Sequence, residues 1–151
     1  MTRLPVKLCA ALLVCVPVVS AAATDCAFTA VAPVNFGAYD VLATAANDNG
    51  VGMISIDCKG AGIGTFEVML STGYSLNYTT RVMQSGANRL DYNLYTSADR
   101  SVVWGDGTGQ SQLMTVTKNK PTTLSVFGHI PAGQDVAIGM YSDMITVIVY
   151  F

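Results

Sequence analysis

The chain has 151 residues, of which 51% are hydrophobic and 12% are charged, and its formal net charge is −2. This length suits a single domain. The small excess of acidic residues offers no basic patch that would neutralise phosphates, which argues against a nucleic-acid-binding protein.

The first 23 residues predict a secretory signal peptide. Arg3 and Lys7 form a charged start, residues 8–19 are an apolar run, and the small residues 20–23 suit a cleavage site. Its removal leaves residues 24–151 as one domain with a net charge of about −4. No stretch in that part approaches the roughly 18 apolar residues that a membrane-spanning helix requires. We therefore expect an exported protein.

Two of the four cysteines, Cys9 and Cys15, lie in the predicted leader, so Cys26 and Cys58 remain. An even number in an oxidising compartment makes a single disulfide the default expectation. It would close a loop of about 33 residues, for which the chain-entropy model gives roughly 3.5–4 kcal/mol. A redox pair and a metal site are the weaker alternatives, because the two cysteines do not form a Cys-x-x-Cys motif and His129 is the only histidine.

Alternation of apolar and polar residues predicts β-strands throughout residues 24–151. Segments 53–58, 65–71, 88–95 and 123–130 each place their apolar side chains on one face, with a period of two. The inward residues are Ile54, Ile56 and Cys58, then Phe66, Val68 and Leu70, then Leu90, Tyr92 and Leu94, and then Leu124, Val126 and Ile130. Glycine-rich turns separate these runs, and residues 43–50 predict a surface loop. Six to eight short strands of this kind predict an all-β fold, a β-sandwich.

The last eight residues, 144–151, predict a strand that is apolar on both faces apart from Thr146. Such a strand is an aggregation hazard if it lies unprotected at a sheet edge. One explanation is a central strand flanked on both sides by its own chain. The other is a strand that borders a gap filled by a strand of another protein. The pattern alone leaves both explanations open.

Patterns that resemble catalytic or metal sites are weak in this chain. Residues 60–64 have the glycine spacing of a phosphate loop but lack the helix and the Lys-Ser/Thr pair that should follow, so a hairpin turn is favoured. Asp91, Asp135 and Asp143 would be the carboxylates for glycosidic chemistry, but nothing in the sequence places two of them together. His129 lies in an apolar strand without a cysteine or serine motif, which favours a core or edge histidine. We therefore expect no enzyme activity, no metal and no cofactor.

Trp104 and Asp106 form a candidate ligand loop, with the tryptophan as an aromatic platform. The Asp106-Gly107 pair is also typical of a hairpin. We favour that structural interpretation, in which Trp104 simply packs. A lectin-like module that binds through this loop or through residues 43–50 stays as an alternative.

A series of short motifs spans residues 26–151. It begins with Cys26-Ala27-Phe28 and Val34-Asn35-Phe36-Gly37-Ala38-Tyr39-Asp40, and continues through segments 54–58, 70–73, 81–83, 90–95, 104–108, 128–134 and 139–147. Together these motifs resemble the spore coat protein U domain family, which is similar to subunits of archaic chaperone–usher pili. Each motif is short, but their order along the whole expected mature chain is specific.

The resemblance implies an immunoglobulin-like β-sandwich that is incomplete because it lacks its final strand. A periplasmic chaperone would lend a strand during transit to the outer-membrane usher, and another pilus subunit would supply the strand in the fibre. The disulfide of the family would join Cys26 to Cys58. The groove for the donor strand would be lined by the end of the last strand: Ile145, Val147, Val149, Tyr150 and Phe151.

The expected function is that of a structural and adhesive subunit, secreted through the periplasm to a surface pilus or fimbrium. A self-folding spore-coat or surface-coat protein is the alternative. Cleavage after Ala23 would leave only Thr24 and Asp25 before Cys26, whereas a donor segment needs about five or more residues at roughly 3.3 Å each. We therefore expect a subunit that accepts a strand and donates none, as at a fibre tip or a terminating position.

Overall fold

The computed structural model describes residues 25–60 and 63–150. The predicted leader, residues 1–23, lies outside the described residues. The described residues form eight β-strands and one 3₁₀ turn, Gly73–Ser75. The strands are β1 (Asp25–Asn35), β2 (Val51–Lys59), β3 (Thr65–Leu70), β4 (Arg81–Ser85), β5 (Asn88–Tyr95), β6 (Met114–Thr117), β7 (Thr122–His129) and β8 (Val147–Tyr150). Over the described ranges, the structure contains no helix of the length and apolar character needed to cross a membrane.

The strands form two antiparallel sheets. The larger sheet has the order β1-β2-β7-β5-β4, and the smaller has the order β6-β3-β8. Side chains from both sheets meet in one apolar core. The architecture is thus an all-β sandwich, which confirms the predicted fold class.

The inward faces of the central strands follow the predicted alternation. The twelve side chains predicted to point inward, from Ile54 to Ile130, are each at most 6% exposed. Ile130 lies one residue beyond the end of β7. Asn93, which the alternation places on the outer face of β5, is also buried. It is covered because its amide group donates to the carbonyl oxygens of Tyr78 and Thr79, at 2.9 and 3.1 Å.

Phe36, directly after β1, packs its ring against the larger sheet and so holds this segment in place. Its ring lies directly against the backbone of Gly50 and Gly128, where an added Cβ atom would come within 2.5 and 2.4 Å of ring carbons. The ring also meets Tyr92 edge to face, with centroids 5.9 Å apart. Glycine at both positions therefore makes room for the aromatic ring that closes this side of the core.

Four strands differ from the sequence-based expectation. Strand β1 shows no alternation of buried and exposed residues, because its register shifts between Phe28 and Ala30 and again between Ala32 and Asn35. Strands β4 and β6 have five and four residues, too few for a clear period. The last strand, expected over 144–151, begins only at Val147, and Phe151 lies outside the described residues.

A disulfide joins Cys26 to Cys58. The two cysteines lie opposite each other in the ladder of β1 and β2. The disulfide therefore fastens the first strand to its neighbour β2 in the larger sheet. The expected pairing is confirmed.

Replacing both cysteines, as Cys26→Ser with Cys58→Ser, should lower the free energy of unfolding by about 2–4 kcal/mol, because the unfolded chain gains the freedom of the opened loop. Guanidinium denaturation followed by circular dichroism measures this loss. Addition of a reducing agent to the unmutated protein should reproduce the loss, and the double variant should not respond to that agent. Equal midpoints for the variant and the unmutated protein would contradict the expectation.

Candidate functional site

The open edge of strand β8 is the main candidate site. Within the described residues β8 pairs with β3 alone, through the register Glu67–Tyr150, Val68–Val149, Met69–Ile148 and Leu70–Val147. The main-chain groups on the other side of β8 have no neighbouring strand in this part of the chain. An edge of this kind is a template for another strand.

The core side of β8 is incompletely covered. Ile145, Val147 and Val149 pack against the apolar core but are only half-buried, whereas Val68 and Leu70, their neighbours on β3, are fully buried. Strand β1, at an edge of the larger sheet, has the same character. It contacts the core through half-buried residues, and its remaining apolar side chains are exposed. Incomplete burial of apolar residues therefore occurs at edges of both sheets.

The five predicted groove residues do not share one face. Ile145, Val147 and Val149 point to the core, whereas Ile148 and Tyr150 lie on the outer face and are 40% and 64% exposed. The separation follows from the two-residue period of a strand. Tyr150 therefore lies on the face opposite Ile145, Val147 and Val149, and Phe151 lies outside the described residues, so the part of these two residues in the groove stays a prediction.

The segment that leads into β8 is fixed by hydrogen bonds. The Ser71 and Thr146 main chains are joined by a bond of 2.9 Å, and the Thr146 amide also donates to the Ser71 hydroxyl oxygen at 2.9 Å. The Asp143 carboxylate accepts bonds from the Tyr74 amide and the Tyr92 hydroxyl group, at 3.0 and 2.7 Å. Burial, together with this carboxylate, raises the pKa of Tyr92 far above its ordinary value, so the phenol stays a donor.

A buried arginine, Arg81, holds this region together. Its guanidinium donates to the Ser71 carbonyl oxygen at 2.8 and 3.1 Å, to the Asn93 Oδ1 atom at 2.7 Å and to the Trp104 carbonyl oxygen at 2.7 Å. Burial lowers the pKa of Arg81. Because Ser71 also bonds to Thr146, Arg81 links the centre of the fold to the start of β8. The sequence reasoning missed this role, and the only signal was a motif of the family resemblance, residues 81–83.

Trp104 does not form a surface platform. The side chain is fully buried, and its Nε1 atom donates to the Val68 carbonyl oxygen at 2.9 Å. The buried ring matches the packed alternative, and a ligand role of the loop that carries Trp104 and Asp106 stays a prediction. Asp106 is exposed, and hydrogen bonds from the Thr108 hydroxyl and amide groups lower the pKa of its carboxyl group.

The remaining sequence candidates take separate structural positions. Asp91 bonds through its main chain to the Gln134 side chain, and no hydrogen bond found in the described structure joins two of Asp91, Asp135 and Asp143. His129 contacts Asp48 through Nδ1 at 2.7 Å, which fastens the 43–50 loop to β7. Strand β3, and not a helix, follows residues 60–64. No cluster of three or more His, Cys, Asp or Glu side chains suited to a metal ion is found among the described residues.

Comparison with known proteins agrees with a β-sandwich fold. The chain belongs to the Spore Coat Protein U domain family, whose model matches residues 12–148. A curated relative, Protein U of Myxococcus xanthus, is 30% identical over 129 residues, which cover 78% of this chain and 70% of the relative. The resemblance seen in the sequence motifs is thereby confirmed.

A solved structure shares the fold. It is the CsuC–CsuE chaperone–tip adhesion subunit pre-assembly complex from archaic chaperone–usher Csu pili of Acinetobacter baumannii. The TM-score is 0.51 at 22% identity, over 85% of this chain and 40% of the matched chain. This chain therefore spans less than half of the length of that chain.

Proposed function

We propose that this protein is an exported structural subunit of a surface pilus, assembled when a strand of a partner protein adds to the open edge of β8. The observation that carries the proposal is the half-buried row formed by Ile145, Val147 and Val149. A partner strand would satisfy the free main-chain groups of β8 and cover this row with its own apolar side chains.

Strand addition at β8 is favourable because part of the apolar core is uncovered there. Burial of apolar surface contributes about 25 cal/mol per Å². The residues of β8 that already contact the core gain this burial while their side chains keep pointing to the core, because the partner strand lies beside them. A strand with apolar residues at every second position supplies the matching inward face.

The proposed partners are a periplasmic chaperone, an outer-membrane usher and other subunits of the pilus. The complex of a chaperone with a tip subunit in the solved structure of the same fold supports the chaperone. The disulfide suits an oxidising compartment, which supports export through the periplasm with residues 1–23 as the signal peptide. We further propose a role in adhesion at the cell surface.

Periplasmic expression with and without a chaperone of the archaic chaperone–usher class tests the proposal. We expect a stable complex with the chaperone and a poor yield of monomer without it. Hydrogen exchange in the complex should show new protection of the β8 amides, while the amides of β6, at the other edge of the same sheet, stay unchanged. Equal yields of stable monomer, with no new protection at β8, would reject strand addition.

A self-folding coat protein is the second candidate. The match to Protein U supports it, because that match covers most of both chains. This candidate predicts a monomer that unfolds cooperatively without any partner strand. The same expression experiment therefore separates the two functions.

A further inference from the structure

The outer face of the smaller sheet, next to the open edge, forms a groove of about 870 Å³. Its base includes two cross-strand pairs, Glu67 with Tyr150 and Met69 with Ile148. One wall includes the exposed side chain of Leu76, and another is the loop that carries Asp106. The groove thus begins at β8 itself, on the face opposite the core.

The groove is acidic. Glu67 and Asp106 are its charged lining residues, and no lysine or arginine lines it within the described structure. Both carboxylate side chains are exposed, and neither takes part in an ion pair among the described residues. The hydrogen bonds from Thr108 keep Asp106 ionised. A positively charged group is the natural complement of such a surface.

We propose that this groove selects a partner strand that carries lysine or arginine on its outward face beside Tyr150. The inference rests on the proposed function, since it concerns the strand that adds to β8. The inward residues of that strand would be apolar, and the outward residues would determine which strand is preferred.

The spacing of strands explains how the selection works. Neighbouring strands lie about 4.8 Å apart, so the outward residue of an added strand lies roughly 10 Å from Glu67, with Tyr150 between them. An extended lysine side chain and the Glu67 side chain together span this distance, with the lysine lying over the tyrosine ring. Its ammonium group would then contact the ring face and the Glu67 carboxylate together. Glutamate at the same position would meet the repulsion of both acidic residues.

Synthetic strand peptides test the proposal. Three peptides share the same alternating apolar residues and carry lysine, glutamine or glutamate at the outward positions. Fluorescence anisotropy with the full mature protein measures each Kd. We expect the lysine peptide to bind roughly three- to tenfold more tightly than the glutamine peptide at low salt, and the difference to shrink at about 0.5 M salt.

Two variants locate the effect. Glu67→Gln should remove most of the preference for lysine while the glutamine peptide binds as before. Asp135→Asn is the matched control, because it removes an exposed carboxylate outside this groove, and it should keep the preference. Both changes affect exposed side chains, so folding is expected to be retained.

The outcomes separate this inference from the proposed function. Equal affinity of the three peptides overturns the selection by charge but leaves strand addition intact. The same preference for lysine in Glu67→Gln shows attraction by the general acidity of the chain and overturns the assignment to this groove. Failure of all three peptides to bind counts against strand addition and against the inference together.

Discussion

Replacing Arg81 with leucine should destabilise the domain by about 3–5 kcal/mol. The substitution leaves the Ser71 and Trp104 carbonyl oxygens without the guanidinium donor, and it removes one of the two hydrogen bonds that the Asn93 Oδ1 atom accepts. Each buried group left unsatisfied costs about 1–3 kcal/mol, and relief of the buried guanidinium charge offsets part of the sum. Urea denaturation followed by circular dichroism measures the loss.

Arg89→Leu is the matched control for Arg81. Arg89 is exposed on the neighbouring strand β5, so its replacement should change the free energy of unfolding by at most about 0.5 kcal/mol. The loss in the free energy of unfolding for Arg81→Lys should lie between those of Arg81→Leu and Arg89→Leu. The ammonium group retains the charge but cannot reach all three acceptors. An Arg81→Leu protein as stable as Arg89→Leu would show that the bonds of Arg81 contribute little.

Replacing Trp104 with alanine should cost a similar amount, about 3–5 kcal/mol, because it empties a large and fully buried site. Trp104→Phe keeps most of the apolar contact but loses the bond from Nε1 to the Val68 carbonyl oxygen, so its cost should be smaller. Trp104 is the only tryptophan, so circular dichroism and not fluorescence should follow unfolding.

Phe28→Ala serves as the comparison for Trp104, because it removes an aromatic ring that is about half exposed on β1. It should be much less destabilising than Trp104→Ala. If the two variants unfolded at the same denaturant concentration, the conclusion that Trp104 stabilises the core would be wrong. Loss of ligand binding by a stably folded Trp104→Ala protein would instead restore the ligand-loop interpretation.

Arg81 and Trp104 also stabilise the strands next to the open edge. Arg81 bonds to Ser71, which bonds to the segment before β8, and Trp104 bonds to Val68, which lies opposite Val149 on β3. Both residues therefore support β3 and β8 from the core side. This support explains how β8 keeps its position although only one of its two sides is paired within residues 25–60 and 63–150.

The family and the inward faces of the main strands were readable from the sequence. Alternation over 53–58, 65–71, 88–95 and 123–130 is a local property, and burial of one face follows from it directly. The same local signal failed at β1, where shifts of register break the period. It also failed at Asn93, because the groups that cover Asn93 lie 12 to 15 positions away in the chain.

The tertiary structure alone decided which edge is open and what supports it. An apolar strand such as 144–151 has the same pattern whether it lies at the centre or at the edge of a sheet. Its place depends on pairing with β3, about eighty positions earlier. The burial of Arg81 and Trp104 depends likewise on partners distant in the chain, at Ser71, Asn93 and Val68. Strand period is set by neighbouring residues, whereas edges and buried polar contacts are set by long-range pairing, which a single sequence does not display.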